Sequence, residues 1–216
     1  MDAHDTAPHH HDPASGKATD PRRTSVRWRL REETRAEHER LDAAITALDL
    51  TTRQGYRAFI AVNASVLPGL EAAIAGAGIE RALPDWPARA RADALMADAS
   101  GMGVEAPAAV PVEPPASPAA AMGAAYVLEG SRLGGVLLDR RALASGDADV
   151  EANRRFLTHG AGSRLWPDFL AALDAAVPDE VAHEAVEGAR AAFLAYEEAV
   201  RRVTDRMAGD TSGAET

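Results

Sequence analysis

The stretch Ala121–Leu138, AMGAAYVLEGSRLGGVLL, constrains the fold most. Met122, Tyr126, Leu133, Val136 and Leu137 recur at roughly helical spacing, so it reads as a helix. Yet its interior carries Gly130, Gly134 and Gly135. Each glycine costs about 1 kcal/mol relative to alanine inside a helix, so three cost about 3 kcal/mol. Three readings are open: two helices packed closely, a helix that breaks, or a backbone left bare for something flat or bulky.

Other segments are helical by the same test. From Ser25 to Ala47, Leu30, Thr34, His38, Leu41 and Ile45 step by three and four and share a face. A second helix is expected from the capping box Thr51-Thr52-Arg53-Gln54 to Gly76, kinked at Pro68. A third covers Pro87 to Ala97. Residues 101–119 are proline-rich without helical period and read as a connector. Ser117-Pro118 is an N-cap followed by proline, which starts the glycine-bearing helix. Shorter helices are expected at 150–157 and 166–175, and a long one from about Pro178, where Ala182 to Met207 recur by three and four. No strand pattern or repeat emerges. The expected fold is all-α, a single-domain bundle of six to eight helices spanning 25–208, with disordered ends at 1–24 and 209–216.

Composition narrows the partners. A net charge of −10 argues against nucleic acid. No apolar run is expected to reach membrane-spanning length, so the reading is cytoplasmic with no membrane. Absence of cysteine excludes disulfides and thiolate metal sites. Arg22, Arg23, Arg27, Arg29, Arg31, Arg35 and Arg40 form a local basic patch on this acidic chain, suited to an acidic protein partner. His9, His10 and His11 lie in the polar N-terminal tract and read as a solvated run. Of the seven histidines, only His38 falls on an apolar helical face, with Asp42 one turn on. Its alternatives are a satisfied core residue and an axial haem ligand whose ring Asp42 orients.

Two segments together resemble haem oxygenases. LREETRAEHERLD carries that family's leucine, basic residue, threonine and histidine as Leu30, Arg31, Thr34 and His38. YVLEGSRLGG, Tyr126–Gly135, resembles the family's kinked distal helix, and GARAAFLAYEEAV its last core helix. The resemblance covers about residues 28–205 and looks most like the bacterial branch, which includes members that supply biliverdin to bacterial phytochromes. It implies that haem, both prosthetic group and substrate, lies between the first helix and a glycine-kinked distal helix. His38 is then the proximal iron ligand. Gly130, Ser131, Gly134 and Gly135 form the distal side, where bare backbone lets dioxygen lean onto the ring. Ser131 departs from the aspartate of animal-type members. Arg31 matches the propionate-contacting position, Arg35 is a second candidate for it, Asp42 stands near the histidine, and Tyr126 lines the pocket. The implied activity is cleavage of haem to biliverdin, CO and ferrous iron with O2 and electrons from an external donor, such as a ferredoxin or flavodoxin reductase system. The alternative is a non-catalytic haem-binding or storage protein of the same fold.

Overall fold

The computed structural model describes residues 25–105 and 108–213, with side chains described up to Gly209. The expected tail 1–24, with Arg22, Arg23 and the histidine run, lies outside them. Ten α-helices appear among the described residues and no strand. In chain order they are α1 (Val26–Glu33), α2 (Arg35–Thr46), α3 (Arg53–Gly76), α4 (Trp86–Arg89), α5 (Ala92–Gly101), α6 (Pro118–Leu143), α7 (Ala148–Ala152), α8 (Arg155–Thr158), α9 (Leu165–Ala176) and α10 (Ala182–Gly213).

The long helices carry the core. α6 and α10 make the most extensive packing, because glycines let their backbones touch. A Cβ on Gly123 would stand 1.8 Å from the Ala185 carbonyl oxygen, and one on Gly188 would stand 2.0 Å from that of Ala120. α3 packs on α5, α6 and α10. By length and composition α3 could cross a membrane, contrary to the sequence expectation, with a mean hydropathy of 1.6 over its most apolar stretch. That stretch is 67% buried in the protein, so its apolarity serves the core.

Several expected helices are divided. The single first helix is two, separated at Thr34, whose backbone (φ −114, ψ 12) leaves the helical region while its hydroxyl donates to the Leu30 carbonyl at 2.6 Å. Periodicity survives the break because Thr34 stays buried in register with Leu30. The third helix is split into α4 and α5. The Glu71 carboxylate accepts from the backbone N–H groups of Arg91 and Ala92, at 2.8 and 3.0 Å, and so caps α5 from a distant helix. Conversely, α3 runs through Pro68 without ending. The segment between α5 and α6 is tied down by Val110, whose N–H donates to the Ser65 carbonyl at 2.8 Å on the turn before that proline. α10 continues to Gly213, past the boundary expected at 208.

Candidate haem site

α2 lies along α10 without a single fully buried residue. His38 is therefore not within the core: its side chain is 62% exposed. One edge meets Phe193 of α10, with ring centroids 6.0 Å apart at 79°. Nδ1 lies 3.2 Å from Asp42 Oδ2. The carboxylate neighbours the ring as a charge partner without an aligned hydrogen bond, and Nε2 has no hydrogen-bond partner among the described residues. An imidazole on an open surface in this setting can bind an external metal.

α6 supplies the other surface. It continues as a helix through all three glycines, so the expected break is not a loss of helical hydrogen bonding. The glycines serve different neighbours. A Cβ on Gly130 would meet the Trp166 ring at 3.7 Å, an ordinary contact. One on Gly135 would stand 3.3 Å from the Leu157 carbonyl oxygen, tight against α8. One on Gly134 would meet nothing within 4 Å. Beside it Leu133, Val136 and Leu137 are 61%, 62% and 55% exposed, an apolar patch that no described residue covers.

Arg31 links the two regions. It is the last basic residue of α1, 81% exposed, and close enough to Tyr126 on α6 to oppose the rise that burial causes in that phenol's pKa. Tyr126 packs on Trp166 with centroids 5.3 Å apart, and Trp166 stacks on Phe169. Arg35 is exposed. The basic patch is smaller than the sequence suggested, because Arg27 pairs with Asp174, Arg29 with Glu33 and Arg40 with Glu197. A separate groove of about 500 Å³, bounded by Leu70, Ile74, Val112, Ala124 and Leu194, involves none of the expected site residues.

Sequence reasoning missed the polar cluster behind the glycine segment. Ser131 Oγ donates to the Leu128 carbonyl at 2.7 Å and accepts from Arg91 Nη2 at 2.9 Å. Arg91 also donates to Leu128 O and lies over the Phe156 ring, 4.8 Å from its centroid. Burial pulls its pKa down to about 10, with Arg132 adding to the fall. Glu129, 1% exposed, accepts from Arg89 at 2.8 Å and from Arg132 at 2.9 Å. The available signal was Glu129 itself: one carboxylate in the otherwise apolar run 118–130 must be paired when buried.

His159 completes the cluster, its Nδ1 3.3 Å from Arg132 Nη1. Burial, then Arg132 and Arg91, lower its pKa from 6.5. The folded protein thus binds fewer protons here than the unfolded chain once the pH drops below 6.5, and acidification favours unfolding. Denaturant midpoints measured from pH 7.5 to 5 should fall less steeply for His159→Asn, whose amide oxygen still accepts from Arg132. Equal slopes for the two proteins would refute the assignment.

Comparison with known proteins decides the family. The sequence matches the Heme oxygenase family over residues 24–202. The chain belongs to the haem oxygenase family. Heme oxygenase PigA of Pseudomonas aeruginosa is 29% identical over 189 residues, covering 82% of this chain and 95% of PigA. A heme oxygenase from Neisseria meningitidis, solved with NO and CO bound, superposes with a TM-score of 0.71 at 27% identity, covering 83% of this chain and 92% of that one. Haem oxygenases bind haem as substrate, and the chemistry of the exposed groups on α2 and on α6 suits such a group. A free imidazole nitrogen suits iron, bare backbone at Gly134 suits a flat ring, and Leu133, Val136 and Leu137 suit its apolar edge.

Proposed function

We propose that this protein cleaves haem oxidatively to biliverdin, CO and ferrous iron, using O2 and an external electron donor. What supports this is an exposed His38 beside Asp42, together with an uncovered apolar face at Gly134, in a chain of this family. Bound haem would supply both the iron that activates oxygen and the ring that is opened. His38 would hold the iron, with Asp42 beside its ring. Gly134 leaves its stretch of α6 free of side chain, so a flat group could lie close to the backbone. Ser131 is tied to Arg91 and Leu128, so its hydroxyl proton is already engaged. Arg31 and Arg35 would offer guanidinium donors to the propionates, with Tyr126 near Arg31.

The test is a hemin titration followed by reduction. Hemin should give a histidine-ligated Soret band. Ascorbate or a ferredoxin–reductase system under air should then bleach it and release a bilin, identified by chromatography. A Soret band that forms but survives reduction would overturn the enzymatic reading. With a bacterial phytochrome apoprotein present, the released bilin should yield a red-absorbing adduct, and no adduct would separate this protein from chromophore supply.

Among the described residues, the docking surface for an acidic donor reduces to the exposed cations left without strong pairing, Arg31 and Arg35. Arg35→Glu should lower ferredoxin-driven turnover by about tenfold at low ionic strength and converge with wild type near 0.5 M salt. Ascorbate-driven turnover should fall only by what Arg35 contributes at the propionates, a smaller loss. Equal losses with both donors would place Arg35 at the propionates alone.

A further inference from the structure

Arg132 lies inside the glycine segment, between Ser131 and Leu133, yet its side chain is only 10% exposed and is turned to the back of α6. Its Nε donates to Glu129 Oε1 at 2.9 Å, Nη2 donates to the Arg89 carbonyl, and Nη1 donates to the His159 carbonyl at 3.3 Å. One guanidinium thus joins three parts of the chain: its own helix turn, the end of α4 and the loop after α8. Glu129 closes the set by holding Arg89, which in turn donates to the Leu165 carbonyl at the start of α9 at 2.8 Å. These partners surround the weakest stretch of α6, since glycines give the backbone the most freedom to lose. A Cβ built on Gly134 would also meet nothing within 4 Å. A lysine could meet one of the three acceptors but lacks the planar fork that spans them.

We propose that Arg132 is a positioning residue that fixes the glycine segment of α6 relative to the haem and thereby decides which ring edge is attacked. This rests on the haem oxygenase reading above. Its polar contacts are all to protein, so it would act without touching the haem, by holding the backbone beside Gly134 through Glu129, Arg89 and His159.

The test compares wild type with Arg132→Met and Arg132→Lys by two measurements. In the haem-free protein, amide exchange at 130–136 should speed up about tenfold in Arg132→Met, with α10 unchanged and Arg132→Lys between the two. In the hemin complex, wild type should give one dominant bilin isomer and Arg132→Met a mixture, with partial return in Arg132→Lys. The acid–alkaline midpoint of the ferric Soret band should move in the same order. Unchanged exchange in a folded Arg132→Met, or an unchanged isomer ratio and midpoint, overturns the proposal. Should Arg132→Met fail to fold, Arg132→Lys carries both comparisons, and its identity with wild type overturns the proposal equally. If wild type itself ignores hemin, the haem reading fails, while the exchange data still report whether Arg132 holds this segment.

Discussion

Replacing His38 with alanine should abolish the histidine-ligated Soret band and lower bilin formation more than about 100-fold, while leaving the haem-free protein as stable as wild type. The functional loss is large because the imidazole is the sole side chain proposed to hold the iron, and even changes in the shell behind a metal ligand cost about 10- to 100-fold. The stability effect is small because the side chain is 62% exposed and α2 buries no residue fully. Surface changes of this kind stay within about 0.5 kcal/mol. Added imidazole should restore part of the band, since it can refill the space left by the ring. Asp42→Asn should give a milder defect of about tenfold in hemin affinity, by removing the charge beside the ring. A structural role for His38 predicts the opposite pattern, with a lower melting temperature and unchanged hemin binding.

The second large effect separates two glycines of one helix. Gly123→Ala should destabilise the protein by about 3 kcal/mol or more, because the new methyl would meet backbone on α10 and not a movable side chain. The Ala185 oxygen, carbon and Cα all lie within 2.8 Å of the built Cβ, so relief requires α6 and α10 to move apart. Gly134→Ala should do the reverse in the haem-free state and stabilise by up to about 1 kcal/mol, since the site is open and alanine favours helix. With hemin the methyl should stand where the ring and oxygen must fit. An overpacking cost of about 1–3 kcal/mol corresponds to a loss of about 5- to 150-fold in turnover. Thermal melts with and without hemin check both claims. If Gly134→Ala is both more stable and fully active, the open face at Gly134 is not the haem face.

Much of the fold could be read from periodicity. The N-cap at Ser117 and start of α6 at Pro118 stand as expected, and its side chain accepts from Ala120 N. The breaks were not legible, because they arise from contacts distant in sequence. Glu71 caps α5 from α3, and the division between α4 and α5 leaves Arg89 free to enter the Glu129 cluster. WPARARAD has no local feature that reports either. The candidate residues could be picked out by type, but their environments could not. His38 shares a helical face with Leu30 and Leu41, and periodicity assigns such a face to the core. It cannot tell a face covered by protein from one left for a ligand, since both need the same spacing. Ser131 was noticed for what it replaces, whereas its hydrogen bond from Arg91 required the fold.

The shallow seating of α2 has a consequence of its own. The helix rests on α10 through the half-buried Leu41, Ala44 and Ile45 and the Arg40–Glu197 pair, with no fully buried residue to lock it. On the proposed reading, a ligand held by His38 would add to that grip, and its consumption would take the addition away.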